Sequence, residues 1–337
     1  MNLLIKTKGG HGQGLGDVAG SIALANEAVN RGIVTTIAVE GEDPAIDIVR
    51  DSGIEWNEVK TPADFYLLVK TLSPDVILFN QLNSPEEMVL EIKKMGILIA
   101  TVDDTGSAAN SADLRFNPEY AMADTYCGHS YIPLRLDYRK ENLKKRIITK
   151  DVHSILVTLG GSDTYGFTPN VVRALYDIPD RIAITIITGS SFQHAIELNS
   201  AICDSPRKFN HIHDVKDMIP PMGSADLAIC GAGLTLFELA CLGTPAVIIC
   251  GELFEEETAE YMEKNGFGIN LGFGKRVSEQ VISDAVLGLI SDYDRRSAIS
   301  RQGKKLIDGA GAERIIEIIS NTLKNHYNDQ SEQLPIE

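Results

Sequence analysis

The chain of 337 residues contains no apolar run near the roughly 18 residues that a membrane span requires. Basic residues are few beside acidic ones, 31 against 47, for a net charge of −16. That balance argues against a nucleic-acid surface and against docking on an anionic membrane. The five cysteines form no Cys-x-x-Cys pair, and an odd number completes no disulfide framework, so a reducing, cytoplasmic setting is expected. Cys230, Cys241 and Cys250 lie in apolar context and read as small buried hydrophobes. The histidines fall at no metal-ligand spacing; His211 and His213 share one side of a strand but lack further ligands, so no metal site is expected. There is no Gly-Lys-Ser/Thr phosphate loop and no Gly-x-Ser-x-Gly elbow. The N-terminus enters a strand-like run, Leu3-Leu4-Ile5, without a cationic stretch or cleavage site, so no signal peptide is expected.

What is present is alternation. Short apolar runs at residues 33–39, 54–59, 75–79 and 97–102 are separated by amphipathic stretches at 44–52, 62–71 and 85–95. The same alternation resumes at 153–159, 182–188, 225–229 and 245–250. This pattern predicts parallel sheets covered by helices on both faces. The length fits two domains. Their expected extents are 1–135 and 153–325, with a charged connection over 136–152 and a polar, frayed tail over 326–337.

Glycine punctuates the ends of three strands. The first loop holds Gly9, Gly10, Gly12, Gly14 and Gly16, followed by Asp17. Gly14, Gly16 and Ala19 satisfy a loose dinucleotide fingerprint, with Glu40 after the second strand as the ribose acid, a weak signal by itself. Asp17 reads either as a helix cap or as a base aimed at a ligand. Gly160-Gly161-Ser162-Asp163 forms the second turn. The third is Gly231-Ala232-Gly233-Leu234-Thr235, with Glu238 three residues beyond Thr235. That spacing predicts a capping box. A glycine turn between strand and helix also presents backbone N–H groups to an anion, so a capped helix and a phosphate site remain open readings. Glu252, Glu255, Glu256 and Glu257 read mainly as a solvated helix start.

Three stretches resemble the GT-B superfamily: residues 14–25, 155–163 and 225–245. Within it they are similar to the branch holding the peptidoglycan N-acetylglucosaminyltransferase, the spore-coat polysaccharide proteins and the UDP-sugar hydrolase of pseudaminic acid biosynthesis. Val102-Asp103-Asp104 has a counterpart there too. The resemblance implies two Rossmann-like domains facing across a cleft, and a nucleotide-diphosphate sugar donor, UDP-linked. By it, Gly231 to Thr235 would hold the diphosphate and Glu238 the ribose hydroxyls. Glu255 would lie near the sugar, and Gly160, Gly161 and Ser162 would line the same donor site. Gly14, Gly16 and Asp17 would face the sugar and the acceptor. Two positions depart from the hydrolase: Asp17 stands where that enzyme has a histidine base, and Asn80-Gln81-Leu82-Asn83 where it has a tyrosine. An intact donor half with an altered acceptor half implies transfer to another hydroxyl, on a small soluble acceptor, with Asp17 as base and no cofactor. Hydrolysis by water and non-catalytic donor binding are the alternatives.

Overall fold

The computed structural model describes residues 1–10, 14–118 and 124–332. The chain forms two compact units, Met1–Leu136 with Gly309–Glu337, and Asp137–Asp308.

The first unit runs β1 (Asn2–Gly9), α1 (Gly16–Asn30), β2 (Val34–Gly41), α2 (Asp43–Asp51), β3 (Glu55–Glu58), α3 (Pro62–Leu72), β4 (Val76–Asn80), α4 (Glu86–Lys93), β5 (Leu98–Val102), β6 (Leu114–Asn117) and β7 (Tyr126–Cys127). The strands form one sheet in the order β3-β2-β1-β4-β5-β6-β7, and every ladder is parallel. Successive side chains on a strand point to opposite faces. Leu3 and Ile5 therefore join one apolar cluster, with Ile22, Leu24 and Leu78, while Leu4 joins another, with Phe65, Val69 and Phe79. Burial on both faces explains why these strands read as unbroken apolar runs.

The second unit opens with α5 (Leu136–Leu143). It continues through β8 (Ser154–Thr158), α6 (Thr168–Ala174), β9 (Ala183–Thr188), α7 (Ala195–Cys203), β10 (Asn210–His213), α8 (Ile219–Ser224), β11 (Leu227–Cys230), α9 (Leu234–Leu242), β12 (Ala246–Cys250), α10 (Glu255–Lys264), β13 (Ile269–Phe273), α11 (Glu279–Ser291) and α12 (Tyr293–Leu306). Its sheet order is β10-β9-β8-β11-β12-β13, again parallel throughout. In each sheet the strand order reverses once, at β1/β4 and at β8/β11. In open α/β sheets that reversal, beyond the carboxyl ends of the strands, is where ligands sit.

The units differ from the expected boundaries in three ways. The stretch over 136–152 is not a bare connection: it holds α5, whose Tyr138 is buried and whose Asn142 amide meets the carbonyls of Cys241, Lys304 and Ile307 at 2.9, 3.1 and 3.0 Å. The fully buried Arg296 clamps the rest of it, donating to the carbonyls of Thr149 and Lys150 at 3.0 and 2.8 Å. The chain then returns to the first unit as α13 (Gly311–Glu332), and Ile315, Ile316 and Ile319 complete the cluster around Leu3 and Ile5. The polar tail is helical through Glu332, and residues 333–337 lie outside the described residues. Among the described residues no helix is long and apolar enough to cross a membrane.

Candidate functional site

In the second unit, β8, β11 and β12 are neighbours, so their three carboxyl-end turns stand side by side. Gly160 has φ +93°, a left-handed conformation that favours glycine. The β8 and β9 turns touch backbone to backbone: a Cβ on Gly189 would fall 2.5 Å from the Gly161 carbonyl, which accepts the Ser191 amide at 3.2 Å. Ser162 Oγ lies 3.2 Å from Thr164 Oγ1. Asp163 is buried, and its two carboxylate oxygens accept the amides of Phe167 and Thr168 at 2.9 and 2.8 Å. The acid of the Gly-Gly-Ser-Asp turn is therefore the clamp that starts α6.

Gly231 and Ala232 are buried and lead to α9, whose cap residue is Gly233. Here the capping box expected from Thr235 and Glu238 is corrected. Thr235 is the second residue of α9 and Glu238 the fifth, and the cap position is held by Gly233, which has no side chain to bond the first turn. The helix starts one residue before Thr235 because Gly233 turns the chain by itself. Leu234 and Thr235 thus bring the first backbone N–H groups of a helix to the β8/β11 reversal without a side-chain cap, the local requirement for anion binding.

Glu255, the first residue of α10, joins this turn to the next. Its Oε2 accepts the amides of Gly251 and Glu252 at 2.7 and 3.2 Å, and its Oε1 lies 3.5 Å from where a Cβ on Gly233 would stand. Tyr165 Oη reaches Glu252 Oε2 at 3.4 Å, linking the loops after β8 and β12, the strands on either side of β11. Lys275 Nζ sits 3.9 Å from the centre of the Tyr165 ring. This link escaped sequence reading; an aromatic residue shortly after a glycine turn was its one signal. Burial, aided by the Glu255 charge, pushes the Cys250 thiol up to about 12, and burial also raises Cys230. Neither thiol is a nucleophile at neutral pH. His211 Nε2 and His213 Nδ1 both meet Thr188 Oγ1, at 2.9 and 3.1 Å.

In the first unit, Gly14 has φ +75° and its carbonyl accepts the Gly10 amide at 3.1 Å, while His11, Gly12 and Gln13 lie outside the described residues. Gly16 opens α1, is exposed, and follows the cap residue Leu15. Asp17 sits half-buried as the acid of the first turn, while the cap position itself is held by Leu15, so Asp17 lies inside the helix and is not its cap residue. Its backbone carbonyl accepts from Asn80 Nδ2 at 2.8 Å. Glu40 is engaged by Lys6 and Lys8 at 2.7 and 3.0 Å, which takes the carboxylate a dinucleotide ribose would need. Asp104, at the end of β5, accepts the amides of Ser84 and Gly106 at 3.2 and 2.9 Å, and burial raises its pKa.

Two parallel-sheet α/β units, of seven and six strands among the described residues, make this a GT-B fold. MurG of Acinetobacter baumannii superposes with a TM-score of 0.67 over 95% of this chain and 99% of that one, at 14% identity. No family model matches the chain. By sequence it is similar to the spore coat polysaccharide biosynthesis protein SpsG of Bacillus subtilis, 24% identical over 95% of this chain and 98% of that protein. It is also similar to the UDP-N-acetylglucosamine–N-acetylmuramyl-(pentapeptide) pyrophosphoryl-undecaprenol N-acetylglucosamine transferase of Acetivibrio thermocellus, 24% identical over 68% of this chain and 63% of that enzyme.

Proposed function

We propose that this chain is a glycosyltransferase of polysaccharide or glycoconjugate assembly that takes a UDP-linked sugar and passes the sugar to a hydroxyl of a small, soluble acceptor. The observation that carries the reading is the start of α9, a helix N-terminus without a side-chain cap at the strand-order reversal of the second sheet. The names of the Bacillus and Acetivibrio relatives support the pathway class and the donor class.

In this reading the donor diphosphate lies on the turn from Gly231 to Thr235, with Gly160, Gly161 and Ser162 beside it. Glu238 bonds the ribose hydroxyls and Glu255 faces the sugar. The acceptor oxygen attacks the anomeric carbon as the glycosyl–phosphate bond breaks. The bonding pair leaves on the diphosphate, whose growing charge the N–H groups of the turn stabilise. Asp17 takes the acceptor proton.

The test is product analysis with a panel of UDP-sugars, with and without candidate acceptors. Acceptor-dependent UDP release that Asp17→Asn abolishes is expected. Free sugar formed without an acceptor would make the chain a hydrolase, and UDP-sugar binding without turnover a binding protein; either outcome defeats transfer.

A further inference from the structure

We infer that Asn80 is the positioning residue for Asp17, an inference that rests on the reading of Asp17 as the base. Asn80 ends β4 and is 2% exposed. On that strand Val76 and Leu78 belong to the cluster that packs against α1, and alternation puts Asn80 on the same face. Its Nδ2 donates to the Asp17 carbonyl at 2.8 Å and to Ser21 Oγ at 2.9 Å, so both amide hydrogens serve the first turns of α1.

The approach is close. A Cβ on Gly20 would lie 3.2 Å from Asn80 Nδ2 and 3.1 Å from Pro133 Cγ. Holding a helix on a sheet needs only apolar packing, which Ile22, Leu24 and Leu78 already provide. A buried amide adds direction: it holds one carbonyl, that of Asp17, at one height above the end of β4. The donor sense is what matters. A carboxylate at position 80 has the same shape but sets acceptor against acceptor, and its charge raises the pKa of a neighbouring carboxyl.

The experiment compares Asn80→Asp, Asn80→Ser, Ser21→Ala and Asp17→Asn in the full chain, by melting, UDP affinity, and kcat and KM for a UDP-sugar across pH. Asn80→Asp is expected to lower kcat by about 10-fold to 100-fold, the effect of a misplaced catalytic group, with donor KM and UDP affinity unchanged. The acid limb of its kcat profile moves to higher pH. Asn80→Ser gives a smaller loss of kcat and no shift of that limb, and Ser21→Ala stays within about threefold of wild type. A merely structural Asn80 would lower the melting temperature alone. Wild-type kcat and pH profile in a folded Asn80→Asp or Asn80→Ser, with Asp17→Asn inactive, overturns the positioning role and leaves the proposed function standing. Turnover retained in Asp17→Asn overturns both.

Discussion

Glu255 Oε1 lies 3.5 Å from the point where a Cβ on Gly233 would stand, while Oε2 of the same carboxylate holds the amides of Gly251 and Glu252. One acid thus holds the turn after β12 and lies against the neighbouring turn before α9. Glu255→Ala is expected to cost about 1.5 kcal/mol, the scale of a charge-assisted hydrogen bond at a partly solvated site. It should also weaken UDP binding by about tenfold, or 1.4 kcal/mol. Glu255→Gln keeps an acceptor for the amides and should lose less of both. Melting curves and titration calorimetry on the two variants check this.

Lys6 is 2% exposed and bonded to Glu40, which also holds the more exposed Lys8. Burial keeps the Lys6 pKa below its usual value, against the pull of Glu40. The two ends of this pair should respond unequally to mutation. Glu40→Leu strands a buried ammonium and is expected to cost about 3 kcal/mol at neutral pH. That loss should shrink as pH rises and Lys6 sheds its proton. Lys6→Met removes the buried charge, leaves Glu40 with Lys8, and should be close to neutral. Denaturant midpoints at pH 7 and pH 9.5 distinguish the two responses.

Burial holds the His129 imidazole neutral, with its pKa pushed from 6.5 down to about 4. The unfolded chain binds this proton first, so the native state loses stability as pH falls. The loss begins near pH 6.5, amounts to about 3 kcal/mol, and levels off below pH 4. His129→Asn should flatten that part of the stability curve. Urea titrations between pH 7 and pH 4 measure it.

Much of the fold is legible because a strand covered on both faces must be apolar at every position. Val76 to Phe79 and Ala246 to Cys250 announce themselves in this way. β13 does not: it is an edge strand of half-buried residues containing Gly272, and its run carries no clear period. α7 begins at Ala195 without a side-chain cap, so no start signal marks it in the sequence. The return of α13 to the first unit is invisible to periodicity, since an amphipathic face does not say which sheet receives it. The glycine turns were visible because Gly160 adopts a left-handed backbone and Gly231 packs on Leu159. Asn80 stood out in the sequence only as a departure. Its bond to Asp17 spans 63 positions, and only the register of β4 beside β1 creates it.

The central claim, that the start of α9 receives the diphosphate of a nucleotide sugar, is tested most directly by calorimetry of UDP binding to the wild-type chain and to Gly233→Asp. Gly233 has φ −81°, outside the left-handed region, and the nearest atom to a Cβ there is Glu255 Oε1 at 3.5 Å, so the side chain has room; melting curves establish that the variant is folded before titration. Its carboxylate would stand at the helix N-terminus, where the account places the diphosphate. One-site binding by the wild type, lost in Gly233→Asp and unchanged in Asp17→Asn, is the predicted result. No heat from UDP or any other nucleoside diphosphate, or undiminished binding by Gly233→Asp, would contradict it.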